Sequence, residues 1–108
     1  MRILKFNVDR QIINQDPTCD FNGLVPGTEG YLKAEFTFSS EWSDCVKVAR
    51  FYSAMGVEYE PQAISAENTC LIPAEALKRQ IFKVSVIGKN HSGKKLTTDK
   101  VMVTQDGR

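Results

Sequence analysis

The chain has 108 residues, enough for one domain, spanning 1–108, that buries roughly two thirds of its unfolded surface without metal or disulfide staples. Lys plus Arg is 14 against 13 for Asp plus Glu, a net charge of +1, and the only adjacent basic pairs are Lys78-Arg79 and Lys94-Lys95. This balance argues against a nucleic-acid partner, which calls for a basic stripe, and the lack of any apolar run near eighteen residues excludes a membrane-spanning helix.

Met1 to Phe6 has neither the apolar core nor the small-residue cleavage site of a signal peptide. Cys19, Cys45 and Cys70 are therefore expected to be reduced thiols of a protein made in the cytosol, with Cys45 and Cys70 as small packing residues in strands and Cys19 in a loop.

Ile3 to Val8 alternates Leu4, Phe6 and Val8 against Ile3, Lys5 and Asn7 and predicts a first strand; Arg10 to Asn14 predicts a second, after a bend at Asp9-Arg10. From Gln15 to Gly30 the turn formers Asp16-Pro17, Asn22-Gly23 and Pro26-Gly27 predict a long connection, with a short extended piece at Leu24 and Val25. Tyr31 to Phe38 then places Leu32, Ala34, Phe36 and Phe38 on one face and Lys33, Glu35 and Thr37 on the other, the period of a half-buried strand in an antiparallel sheet. Ser39 to Asp44 predicts a compact turn from which Trp42 folds back over the sheet edge.

Cys45 to Ser53 carries apolar residues on both faces and suits a central strand, followed by a turn at Met55-Gly56. Val57-Glu58-Tyr59 predicts a partner strand towards Ile64, which Pro61 confines to an edge or a bulge. Asn68 to Ile72 is a short strand, and Pro73 to Arg79 is the one helical stretch, with Glu75 near its start and Lys78 and Arg79 near its end. Ile81 to Gly88 alternates again, although Ile81 and Ile87 break its polar face, and Lys95 to Thr104 predicts the last strand, joined by the hairpin at Lys89 to Gly93. About seven strands with one short helix near 73–79 define an all-β chain, an antiparallel β-sandwich of immunoglobulin-like shape, with a small β-barrel as the alternative.

Motifs that could carry chemistry are weak. Gly88 to Lys94 matches seven positions of a phosphate-binding loop, but Lys95 stands where Ser or Thr must hold magnesium, and a strand rather than a helix follows. Asn90-His91-Ser92 spells a glycosylation sequon, and reads more simply as a polar hairpin tip. His91 has no triad pattern around it, and a zinc set of Cys19, Cys45, Cys70 and His91 would lack the usual tight knuckle. No catalytic residue, metal ligand or cofactor is assigned. Tyr31, Trp42, Tyr52 and Tyr59 could form the platform of a sugar-binding sandwich, although Trp42 beside a turn reads better as a core plug.

The block Tyr31-Leu32-Lys33-Ala34-Glu35-Phe36-Thr37-Phe38-Ser39-Ser40-Glu41-Trp42 resembles the signature of a module near the N-terminus of tail and baseplate proteins of phages and prophages of Gram-positive bacteria, the N-terminal domain of the baseplate upper protein among them. Leu4 to Val8, Val48 to Phe51, Cys70 to Leu77, Phe82 to Gly88 and Leu96 to Thr98 follow that family's order, so the resemblance spans nearly the whole chain. The Asp16 to Gly30 loop is longer than the pattern, and related proteins often continue beyond the position of Arg108, which leaves an excised domain or a small stand-alone relative.

The resemblance implies a non-catalytic component of the virion, made in the host cytoplasm, that docks to other phage tail or baseplate proteins or self-associates, without nucleic acid or membrane. The expected contact residues are Tyr31, Tyr52 and Tyr59, with Phe21, Leu24 and Val25 of the long loop; ordinary packing is their other reading. Two other functions stand beside this one: a carbohydrate-binding module for a cell-surface polysaccharide, which needs an exposed Trp or Tyr platform, and a small enzyme, which needs a cleft with converging polar groups.

Overall fold

The computed structural model describes residues 1–106; Gly107 and Arg108, the end of the predicted single domain, lie outside the described residues. The chain is a β-sandwich. One sheet holds β1 (Arg2–Asp9), β2 (Ile12–Gln15), β3 (Leu32–Phe38) and β6 (Thr69–Leu71) in the order β2-β1-β3-β6. The other holds β4 (Val46–Ser53), β5 (Gln62–Ala63), β7 (Ile81–Lys89), β8 (Lys95–Thr97) and β9 (Val101–Thr104), in the order β5-β4-β7, with β8 and β9 pairing successive parts of β7.

The two-residue period explains the core. Leu4, Phe6 and Val8 of β1 and Leu32, Ala34 and Phe36 of β3 face Ala49 and Phe51 of β4 and Phe82, Val84 and Val86 of β7, all of them buried. One pair departs from a purely antiparallel arrangement: β1 and β3 run parallel, with Phe6 beside Phe36 and Val8 beside Phe38. Parallel neighbours need a long return, and β2 with the connection at 16–31 carries the chain back to the start of β1.

The last predicted strand is two strands, because Thr98 leaves the ladder at mid-length. Its backbone N–H donates to the Val86 carbonyl at 3.0 Å, while its hydroxyl accepts the Val86 N–H at 3.0 Å, so the side chain stands in for a strand partner. Asp99 then crosses to the other sheet. Its N–H donates to the Gln11 carbonyl, and its carboxylate accepts the N–H of Ile13 at 2.9 Å, while the Gln15 amide donates to the Met102 carbonyl at 3.0 Å. This clamp closes one side of the sandwich. Replacing Asp99 with alanine leaves the Ile13 N–H without its acceptor, and is expected to cost about 1.5 kcal/mol in a urea titration.

Shorter elements replace two other expectations. The helix predicted at 73–79 is a 3₁₀ turn, Ala76–Lys78, with Lys78 and Glu75 paired at 3.0 Å. Ala76 and Leu77 are wholly buried and the chain must enter β7 at once, so there is no length for a regular α-helix. From Val57 onward only a bridge between Tyr52 and Glu58 and the two-residue β5 form, Pro61 lying between them. Cys45 sits one residue before β4 rather than in it, whereas Cys70 is in β6 as expected.

Candidate protein-docking face

The two outer faces of the sandwich differ in character. On the first sheet, Lys5, Asn7, Lys33, Glu35 and Thr37 alternate with the core residues, Lys5 lies 4.0 Å from Glu35, and the exposed Ile3 and Leu71 flank Lys33 singly in one register row. On the second, the strand register lines up Ala63, Val48, Ile87 and Thr97 in one row across β5, β4, β7 and β8. Val46, 74% exposed, lies beside this row. A shallow groove of about 340 Å³ follows it, lined by Val46, Val48 and Ile87, with Asp44, Lys89 and His91 at one end. Neighbouring aliphatic side chains on the outside of a sheet are the kind of feature that marks a candidate contact surface.

Cations lie at one end of that row and further along the same face. Lys89 stands opposite Val46, Lys95 opposite Lys89, and Lys83 opposite Tyr52, while the Lys100 ammonium lies over the Tyr52 ring at 4.1 Å. Arg50 is satisfied by Glu58 at 3.0 Å, but Lys83, Lys89, Lys95 and Lys100 are in no ion pair among the described residues. Beneath them the Tyr52 hydroxyl and Ser85 share a buried hydrogen bond of 2.9 Å, which fixes the middle of the face.

A second groove, about 510 Å³, lies at one end of the sandwich between Met55, Val57, Tyr59 and Ile81, bordered by Arg79 and Gln80. Here the apolar residues stand on a turn: the Ser53 hydroxyl accepts the N–H groups of Met55 and Val57, holding Met55 out in solvent at 92% exposure.

The residues expected to make contacts are dispersed. Tyr31 and Val25 are about half exposed, and Tyr59 is half-buried at the second groove. Leu24 is buried in the core, plugging the sandwich where the 16–31 connection crosses it, whereas Tyr52 lies on the outer face of the second sheet, covered there by Lys100 and bonded to Ser85. Phe21 meets Phe6 edge to face at 5.5 Å. The long connection is pinned by Arg2, whose guanidinium donates to the carbonyls of Asp20 at 2.9 Å and Asn22 at 2.6 Å, and by turns in which Asp16 accepts from Thr18 and Asp20 from Asn22. Those backbone hydrogen bonds hold both carboxyls below the usual carboxylate range. The short piece at Leu24 and Val25 joins neither sheet as a strand, and the Leu24 carbonyl accepts the N–H of Asp106 instead.

Of the chemistry weighed from sequence, the Gly88 to Lys94 segment ends a strand and turns through a hairpin into β8, so no helix dipole points at it. The Asn90 carboxamide oxygen accepts from the backbone of Ser92 and Lys94 and from the Ser92 hydroxyl, shaping the tip on which His91 stands exposed. Cys19, Cys45, Cys70 and His91 do not converge: among the described residues no three metal-binding side chains meet. Trp42 is wholly buried and Tyr52 nearly so, which removes two of the four aromatics of the supposed sugar platform.

Burial pushes the Cys70 thiol up to about 12, while Cys19 and Cys45 are only partly covered and all three are free. In a thiol titration at neutral pH, Cys70 is therefore expected to stay unmodified in the native protein and to react once the chain is unfolded.

The fold and this face define a β-sandwich whose second sheet carries an aliphatic row with lysines beside it. No protein-family model, curated protein or solved structure matches the chain.

Proposed function

We propose that this chain is a non-catalytic structural module of a phage or prophage tail or baseplate, which docks to a neighbouring virion protein. The order of sequence blocks from Leu4 to Thr98 suggests the assembly, and the aliphatic row Val46, Val48 and Ile87 is the observation that supports docking. A module of this kind needs a stiff body and one adhesive patch. The clamp at Asp99 and the packed aromatic core supply the first, and the outer face of the second sheet supplies the second. No cofactor enters this reading.

Sugar binding is the less favoured reading, because Trp42, the largest candidate platform, faces the core. The test is mass spectrometry of particles purified after induction of the source organism. Peptides of this chain at stoichiometric level support the tail reading. Particles that assemble without the chain sink it.

A further inference from the structure

We infer that the outer face of the second sheet takes an acidic protein surface with an aliphatic centre, an inference that rests on the docking reading above. Charge complementarity carries it. Lys89 and Lys95 border the row of Val46, Val48 and Ile87, Lys83 and Lys100 lie further along the same face at Tyr52, and among the described residues none of the four is ion-paired. On this side Asp44 stands at the end of the groove, and Glu58 is already engaged by Arg50 at 3.0 Å. On the opposite sheet Lys5 is answered by Glu35, which leaves Lys33 as that face's one lysine in no ion pair among the described residues. A partner seated here covers the aliphatic row with its own apolar side chains and meets the lysines with Asp and Glu, which steers encounter and sets register.

Nucleic acid fits less well. A phosphate backbone would leave Val46, Val48 and Ile87 uncompensated, and the Tyr52 ring, 7% exposed and capped by Lys100, offers no stacking surface.

The pure, nitrogen-labelled protein can be titrated by NMR with a synthetic peptide of alternating Glu and Val, with duplex DNA in a parallel titration. The peptide is expected to shift the amides of Val46, Val48, Ile87 and Lys89, with binding that weakens as salt rises. Reversing two exposed charges, Lys89→Glu with Lys95→Glu, is expected to weaken it about tenfold, whereas Lys33→Glu on the other sheet leaves it unchanged. No shift on this face, or equal loss with Lys33→Glu, overturns the inference. DNA binding through the same lysines overturns it in favour of a nucleic-acid partner. Concentration-dependent shifts without peptide overturn it in favour of a second copy of the chain. Because the pure protein is used, these outcomes judge the partner chemistry, while presence in particles judges the tail reading separately.

Discussion

Replacing Trp42 with alanine is expected to cost about 4 kcal/mol, enough to lower the melting temperature by about 20 °C. The indole is wholly buried, packs against Phe38 with ring centroids 5.4 Å apart, and donates its Nε1–H to the Arg10 carbonyl at 2.7 Å. Arg10 has a left-handed backbone, φ 57°, in the β1–β2 turn, so one side chain ties the turn after β3 to the turn after β1. Trp42→Phe keeps much of the apolar volume but has no N–H to donate, and is expected to cost about 2 kcal/mol. Thermal and urea unfolding monitored by far-ultraviolet circular dichroism measure both. A loss below 1 kcal/mol for the alanine variant would contradict the packing described.

Gly88→Ala is expected to cost about 3 kcal/mol, a large effect for one methyl group. Gly88 lies within β7 opposite Lys47 and Leu96, where alanine is ordinarily tolerated. Space is the obstacle. A Cβ at this position would stand 2.8 Å from Trp42 Cζ3, 2.9 Å from Cε3 and 3.2 Å from the Cβ of Cys45. The indole is held by its hydrogen bond to Arg10 and by Phe38, so it has little freedom to yield. The two substitutions are therefore coupled: Gly88→Ala in the Trp42→Ala background has room for its methyl and is expected to add less than 1 kcal/mol. Additive losses would place the clash elsewhere.

The sandwich was legible in the sequence because its central strands have one wet face. Lys5, Lys33 and Glu35 alternate with Leu4, Leu32 and Ala34, and that period predicts both the strands and the inward set. Trp42 as a core plug was legible too, from its place beside a serine-rich turn. The parallel β1–β3 pair was not, since alternation says which face is buried but not which way a neighbour runs. The break at Thr98 was hidden for a similar reason. A threonine that bonds Val86 with both backbone and hydroxyl looks, in sequence, like any β-branched strand residue.

The docking face was half visible. Ile87 breaks the polar face of its strand, and Val46 and Val48 do the same in β4, a pattern that reads as burial in a central strand. The register turns this signal into a surface: Val48 and Ile87 are cross-strand partners on the outside of the sheet, and Lys89 and Lys95, adjacent there, are six positions apart in the chain. The tyrosines and loop residues expected at a contact share only their apolar character. That property cannot distinguish Leu24, which packs into the core, from Tyr52, which lies covered on the outer face beside Ser85, or from Tyr31, which stays exposed.

Zero-length coupling of lysine amines to carboxylates in purified particles, followed by mass spectrometry, tests the central claim most directly. Cross-links from Lys83, Lys89, Lys95 or Lys100 to Asp or Glu of another virion protein are the predicted result. Particles that contain the chain but couple it only through Lys5 and Lys33 would contradict the docking face, and particles that lack the chain would contradict the tail function itself.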